Sequence, residues 1–500
     1  MITLALAAYA FVAPAGLAQS PSPSTVYVRK NAGSPAAQAD LAALNVAIGK
    51  MKGLPCDNST SWYYQGGIHW VPDDAADGSK LQNANPFCNS YNGTSAQLKA
   101  AWDNCTHQQG MELHFLIWHR LFIYYLEDIV RAISGKADFA LPYWNYVDKK
   151  NALMPPVFAD KKSNLYEPGR CIVLNQGKPI ENKEYGPGSD LDITALMNNT
   201  LYSVFNSTMD AAPHGAMHNY IGGATDEEVL FDRIYQVTLK DSSGVGQGSV
   251  MAQVPSAAFD PIFWVHHAEI DYLWQQWMNS PKGQKPNLTA LKAAPIPYNF
   301  FDRNGKAVTL TVEQAYNMAF SLPVTYDTMQ APANVAEVNR LMNEKAEEPA
   351  ASPTEIARSA TPQVVKGKQT TLSMKLETKA NLNDLVAPEA NRRVILHLLV
   401  SFIKEPKGSY HVYLQNAAGK QPQSAPKFIG NMTFFGAAHH AHHAAANATD
   451  HKLTKNFQFD VSDQIDPRTF NGNLNLVVKK DGDPKATDEL TVEEQALRLH

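Results

Sequence analysis

Sixteen histidines stand in this chain of 500 residues, and eight of them lie between His69 and His267. Several sit inside strongly apolar, aromatic segments. A buried neutral imidazole needs a partner for each ring nitrogen, and burying it without one is costly. A lone histidine on an apolar face is usually a satisfied core residue; a set of them invites a shared metal ion. His214 and His218 frame the run HGAMH. On a helix that spacing puts both rings on one face, one turn apart. No Glu lies between them as in the zinc-protease motif. The run DPIFWVHHAEID carries His266 and His267, with Asp271 one turn beyond His267. A carboxylate so placed can orient a neighbouring group. Cys105-Thr106-His107 precedes His114 and then Trp118-His119-Arg120, and His69 follows a stretch rich in aromatics.

These residues need rigid elements to position them. Residues 111–134, MELHFLIWHRLFIYYLEDIVRAIS, are apolar around most of a helical circumference and predict one long core helix. A second aromatic helix is expected over 259–279, starting after Pro261, and shorter ones over 37–51 and near 212–220, before Gly222-Gly223. Residues 55–95 and 150–190 read as loop. From about 331 to 360 the composition turns to Ala, Pro, Ser and Glu, the pattern of a linker. Beyond it the period shifts toward two, with strands expected at 370–376, 393–403, 410–415, 428–435, 457–461 and 474–479. The expected fold is therefore a mainly α first domain followed by a small antiparallel β-sandwich or barrel.

Composition sets the outer bounds. The chain is 44% apolar and 18% charged, enough for a large core, and its formal net charge of −5 gives no electrostatic footprint for nucleic acid. Residues 1–18 are apolar and end in small residues near Ala18, as a secretory signal does, although the usual basic start is missing. A secreted or periplasmic location is expected, with no other segment able to span a bilayer. Four cysteines, Cys56, Cys88, Cys105 and Cys171, are too few for a disulfide-built scaffold. Cys56 and Cys88 can still pair. Sequons occur at Asn58, Asn206 and Asn447.

FLIWHRLFIYYLE and DPIFWVHHAEIDYLW resemble the two signature regions of tyrosinases, catechol oxidases and related type-3 copper proteins. The tight matches are confined to these segments, within roughly residues 55–330. The resemblance implies a four-helix bundle that holds two copper ions, one by His69, His107 and His119, the other by His214, His218 and His267. It implies O2 and small phenols as reactants, o-quinones as products, and no nucleic acid or membrane partner. Imidazole is a ligand type suited to copper. Cys105-Thr106-His107 resembles the family's Cys-x-His, implying a thioether between Cys105 and His107. Expected domains are 19–330 for the copper-bearing part, 331–360 as linker and 361–500 as the β part.

Departures from the pattern leave alternatives. The interval from His107 to His119 is longer than usual, so His114 stands as the alternative to His107. His266 neighbours His267 and is assigned to packing or support. Gly215 follows His214 where many tyrosinases have Asn, and Asp210 lies four residues before His214 as a candidate water-positioning group. That combination implies oxidation of o-diphenols in preference to hydroxylation of monophenols. Arg120 and Asp271 read as support for the ligands, or as a buried structural ion pair. FIGNMTFFG and KNFQFDVSDQI resemble the family's C-terminal domain, which implies a cover over the copper site and a latent enzyme. His439, His440, His442, His443 and His451 form a low-complexity cluster, read as a solvated loop or a weak metal site. The rival reading is an oxygen carrier of the haemocyanin kind. A hydrolase using other metals is disfavoured, because hard divalent ions prefer oxygen ligands.

Overall fold

The computed structural model describes residues 25–69, 111–222, 250–330, 334–349, 353–378, 393–416, 425–437, 452–465, 472–481 and 489–500, apart from single positions within these ranges. The signal-like leader, Cys88, Cys105, His107 and the histidines at 439–451 lie outside the described residues.

The helical part is built around α1 (Gln38–Lys52), α2 (Trp62–His69), α3 (Phe115–Ser134), α4 (Tyr202–Met209), α5 (Ala216–Gly222) and α6 (Pro261–Asn279). The expected long helix begins at Phe115, after one tight turn at Glu112–His114, and ends at Gly135 in the left-handed conformation. Helix α6 begins where Asp260 caps it: the carboxylate accepts from the Ile262 N–H, and Pro261 takes the first helical position. Helix α2 falls inside a stretch expected to be loop. Its sequence, WYYQGGIH, carries two glycines and little helical propensity. It is helical because Trp62, Tyr64, Ile68 and His69 are all buried in the common core.

A buried ionic knot pins the two longest helices together. Arg29, on β1 (Tyr27–Arg29), bonds Glu127 of α3 and Asp271 of α6, at 2.8 and 2.7 Å. Arg120 closes on the other oxygen of Asp271, and Tyr326 donates to that carboxylate. Burial by itself raises the Asp271 carboxyl, but the Arg120 and Arg29 guanidiniums outweigh it and hold the group below its ordinary range. Arg120 and Asp271 thus form the structural pair; among the described residues neither bonds a histidine ring nitrogen. Short strands β2 (Tyr298–Phe301) and β3 (Ala307–Leu310) form a hairpin, and β4 (Val324–Tyr326) pairs in parallel with β1.

The β part is a sandwich. One sheet runs in the order β11-β10-β13-β7: Lys427–Thr433, Ser409–Asn416, Asn473–Lys480 and Gln369–Lys375. The other runs β12-β9-β14-β5-β8: Leu453–Asp460, Val394–Phe402, Leu490–Leu499, Thr354–Ser359 and Glu377–Thr378, with β6 (Gln363–Val365) also on β14. Their inner faces, among them Val412, Leu414 and Leu476 on one sheet and Leu396, Leu398 and Phe457 on the other, make a second core. The stretch 331–360 is more ordered than a plain linker: it contains a helix at Val335–Asn343 and strand β5. Among the described residues no helix is long and apolar enough to cross a membrane.

Candidate metal centre

Five of the six expected ligands are described, and the fold brings all five together. His69 ends α2; His119 lies in α3; His214 and His218 flank the entry to α5; His267 lies in α6. All are at most 2% exposed. The Nε2 atoms of His69 and His119 approach to 3.5 Å. The His119 and His267 rings stack in parallel at 4.2 Å between centroids, and His214 lies 4.6 Å from His218 and 5.1 Å from His267.

Their orientation follows one rule. Nδ1 of His69 bonds the Val254 carbonyl (2.8 Å), that of His119 the Phe115 carbonyl (2.8 Å), that of His214 the Asp210 carbonyl (3.2 Å) and that of His218 the Met251 carbonyl (2.9 Å). A carbonyl only accepts, so each Nδ1 carries the proton and each Nε2 lone pair turns inward. That is how proteins orient imidazoles for a metal ion. Nε2 of His218 and both nitrogens of His267 find no hydrogen-bond partner among the described residues. Burial, and then the neighbouring imidazoles, push His218 and His267 well below the ordinary histidine value, so both stay neutral and able to ligate. Buried, all-imidazole and partly unsatisfied, this donor set fits copper.

His114 does not join them. Its Nδ1 meets the Tyr298 hydroxyl and its Nε2 the Ala294 carbonyl, both at 2.8 Å, so both nitrogens are spent outside the cluster. His266, expected to be packing or support, lies within the cluster: His214, His218, His266 and His267 each offer an atom within 4.8 Å of the others. Its Nδ1 bonds the Tyr146 hydroxyl at 2.9 Å. Nothing in the residues around Tyr146 marks it for this role, since it lies 120 positions from His266. Asp210 places one carboxylate oxygen 3.2 Å from His214 Nδ1 and the other 3.7 Å from Lys455 of the β part. It therefore holds the His214 ring and faces Lys455 of the β part. Cys56 is disulfide-bonded, with its partner outside the described residues, and Cys171 is free. Asn206, one of the sequon asparagines, is buried and donates to the Glu112 carbonyl.

The β part reaches into the centre. The Phe435 ring stacks on His218 at 4.1 Å between centroids and 14° between planes, and stands edge-on to His214 at 5.9 Å. Thr433, two residues earlier, donates to the Ala211 carbonyl at 2.7 Å. Gly215 makes this approach possible, since a Cβ there meets Thr433 Oγ1 at 2.7 Å and Phe435 Cβ at 3.2 Å. Further out, Ser409 donates to Asp190 at 2.6 Å and Asn431 to the Ser189 carbonyl at 3.2 Å. Sequence reasoning anticipated a covering domain but not which residue covers.

Residues 59–190 and 161–280 match the family model for the common central domain of tyrosinase. Among curated proteins, a tyrosinase of Hahella sp. (strain CCB-MM4) is 28% identical over 284 residues, 53% of this chain and 56% of that one. The chloroplastic catechol oxidase B of Solanum tuberosum is 27% identical over 226 residues, 42% of this chain and 38% of that one. The matches thus span about half the length of these relatives or less. Among solved structures, latent apple tyrosinase aligns with a TM-score of 0.59 at 17% identity, covering 96% of this chain and 98% of that one. Latent aurone synthase aligns at 0.58 and 17%, covering 96% and 91%. At such identity these likenesses establish the fold: a helical core followed by a β domain.

Proposed function

We propose, for a chain that belongs to the tyrosinase family of copper proteins, that it oxidises o-diphenols to o-quinones with O2, with monophenol hydroxylation as a minor activity. Two copper ions are assigned, one to His69, His107 and His119, the other to His214, His218 and His267. Copper, when bound, supplies the redox chemistry that takes two electrons from each diphenol and delivers them to O2. The single observation carrying this reading is the convergence of buried imidazoles whose Nδ1 atoms are tied to carbonyls.

The protein's own part is geometry and exclusion of water. Carbonyls of Val254, Phe115, Asp210 and Met251 fix four rings before any metal arrives, so little reorganisation is left for the reaction. Phe115, Phe263 and Phe435 wall the space with aromatic surface, the kind of lining a phenol ring packs against. As it stands, Phe435 occupies the face of His218 that a substrate ring would approach, which supports a latent enzyme covered by its C-terminal domain. The thioether between Cys105 and His107, export after residue 18, and domain limits of 19–330 and 361–500 remain part of the proposal.

The test is copper content by elemental analysis together with O2 uptake on catechol, before and after limited proteolysis within 331–360. Bound copper with quinone formation after cleavage is the expected result. Bound copper that never turns over catechol, even with the C-terminal domain removed, points to an oxygen carrier. A chain that binds no copper overturns the reading.

A further inference from the structure

Beside the histidines, the aromatic side chains of the helical core form a series of ring contacts that leads outward. The Trp118 ring of α3 stands 6.1 Å from His69 and 4.8 Å from His119, centroid to centroid. Phe122 lies 4.7 Å from Trp118 and 4.4 Å from Trp264 of α6, and Trp264 lies 6.1 Å from Trp62 of α2. All three indoles are fully buried. Two are fixed by their ring N–H groups: Trp264 donates to the Ala258 carbonyl and Trp62 to the Phe259 carbonyl, both at 3.1 Å. The residue after Trp62, Tyr63, is only partly buried. The series thus runs from two ligands assigned to the first copper position to the edge of the core.

From this we infer that Trp118, Trp264, Trp62 and Tyr63 form a discharge route, which carries oxidising equivalents away from the copper centre when no diphenol is there to consume them. The inference rests on the copper reading above. Indole and phenol rings give up one electron more readily than imidazole, and electrons tunnel quickly between rings this close. Phe122 is not itself oxidised; it fills the gap between Trp118 and Trp264. The Lys52 ammonium, 6.0 Å from the Trp62 ring, disfavours a positive charge resting on that indole. Tyr63 escapes this penalty by shedding its phenolic proton. The oxidant is hydrogen peroxide taken up at the centre. In each round one electron passes inward along the indoles; Tyr63 supplies it, releases its proton to water and is left as a neutral radical. A phenol in solution then returns one electron and one proton to Tyr63. Two rounds provide the two electrons and, through water, the two protons that reduce one H2O2 to two H2O. The imidazoles that hold the metal are spared, because the oxidant has another outlet.

The test exposes the copper-loaded full chain to hydrogen peroxide without any phenol. Oxidised residues are mapped by peptide mass spectrometry, copper per chain is followed in parallel, and near-ultraviolet circular dichroism checks the fold. Trp264→Phe removes the middle indole and keeps a ring in the core; Tyr63→Phe removes the outer end, where little packing is at stake. Wild type is expected to gain oxygen at Tyr63 and Trp62 while its histidines stay intact. Folded Trp264→Phe should carry severalfold less at those two positions and severalfold more at the histidines, and lose copper sooner. Tyr63→Phe should shift modification to Trp62 and the histidines. Equal modification of Tyr63 and Trp62 in Trp264→Phe, or in metal-free wild type, means direct attack by peroxide and overturns the inference. Wild type in which both residues stay unmodified overturns it too and leaves the copper reading intact. A chain that binds no copper overturns both.

Discussion

Removing the Phe435 ring tests the proposal that the β domain silences the centre. Phe435 is only 3% exposed; its ring lies flat on His218, stands at 78° to His214 and packs with Val254. Burying such a ring contributes about 1.5–3 kcal/mol, and an aromatic stack adds about 0.5–1.5 kcal/mol. Phe435→Ala therefore weakens docking by about 2–4 kcal/mol. That shifts the balance toward the open state by about 30- to 1000-fold, since each 1.4 kcal/mol is a factor of ten. The assay is the initial rate of O2 uptake on catechol by intact chain, with integrity checked on a gel. The intact variant is expected to rise well above intact wild type, toward the rate of cleaved wild type. After cleavage the two proteins should converge, because Phe435 contributes no nitrogen to the site. An intact variant as silent as wild type, while proteolysis activates both, refutes the assignment of Phe435 as the plug. A variant that loses copper refutes the claim that its role is confined to covering.

The remaining predictions concern docking, ligation and stability. Gly215→Asn places a side chain against Thr433 and Phe435, so it should make residues 331–360 more protease-sensitive in the full chain; unchanged cleavage contradicts the close approach. That steric effect precedes any change in the monophenol-to-diphenol ratio, so the ratio is best compared in cleaved protein, where a gain in monophenol hydroxylation supports the assignment of Gly215 and no gain counts against it. Burial, followed by the Asp190 charge and with the β part's Asp481 adding to it, pushes the Glu184 carboxyl up to about 7. The Asp481 share of that rise exists only in the docked state, which therefore holds the proton more tightly than the undocked one, and docking weakens as pH rises through about 7. Cleavage of the 331–360 stretch should accelerate between pH 5 and about 8, and Glu184→Gln should flatten the profile; cleavage that is independent of pH sinks the idea. Arg29→Met strands Glu127 and part of Asp271 in the core and should cost about 3–5 kcal/mol of unfolding free energy in urea titration; a change under about 1 kcal/mol places the pair among dispensable contacts. His119→Ala should lower bound copper while the far-ultraviolet spectrum stays native.

The histidine spacings were legible because they are local. His214 and His218 four apart, or His267 four before Asp271, share a helix face whatever the rest of the chain does. The two long helices were equally legible, since their apolar runs are long enough for core helices and Asp260-Pro261 marks a start. Other elements depended on partners distant in sequence. The segment LTVEEQALRL is rich in residues that suit a helix, yet it is β14, seated between β9 and β5, where pairing on both edges overrides propensity. WYYQGGIH went the opposite way, becoming helix α2 because its aromatic face found a core. The choice between His114 and the cluster was likewise undecidable from spacing: only the approach of Tyr298 and Ala294, about 180 residues onward, consumes both its nitrogens. An all-imidazole donor set was legible in single residues and short periods, because ligand type belongs to the residue itself. Which imidazoles face inward, and that Phe435 lies across them, was settled only on folding, because carbonyl anchors and covering rings come from segments far apart in the chain.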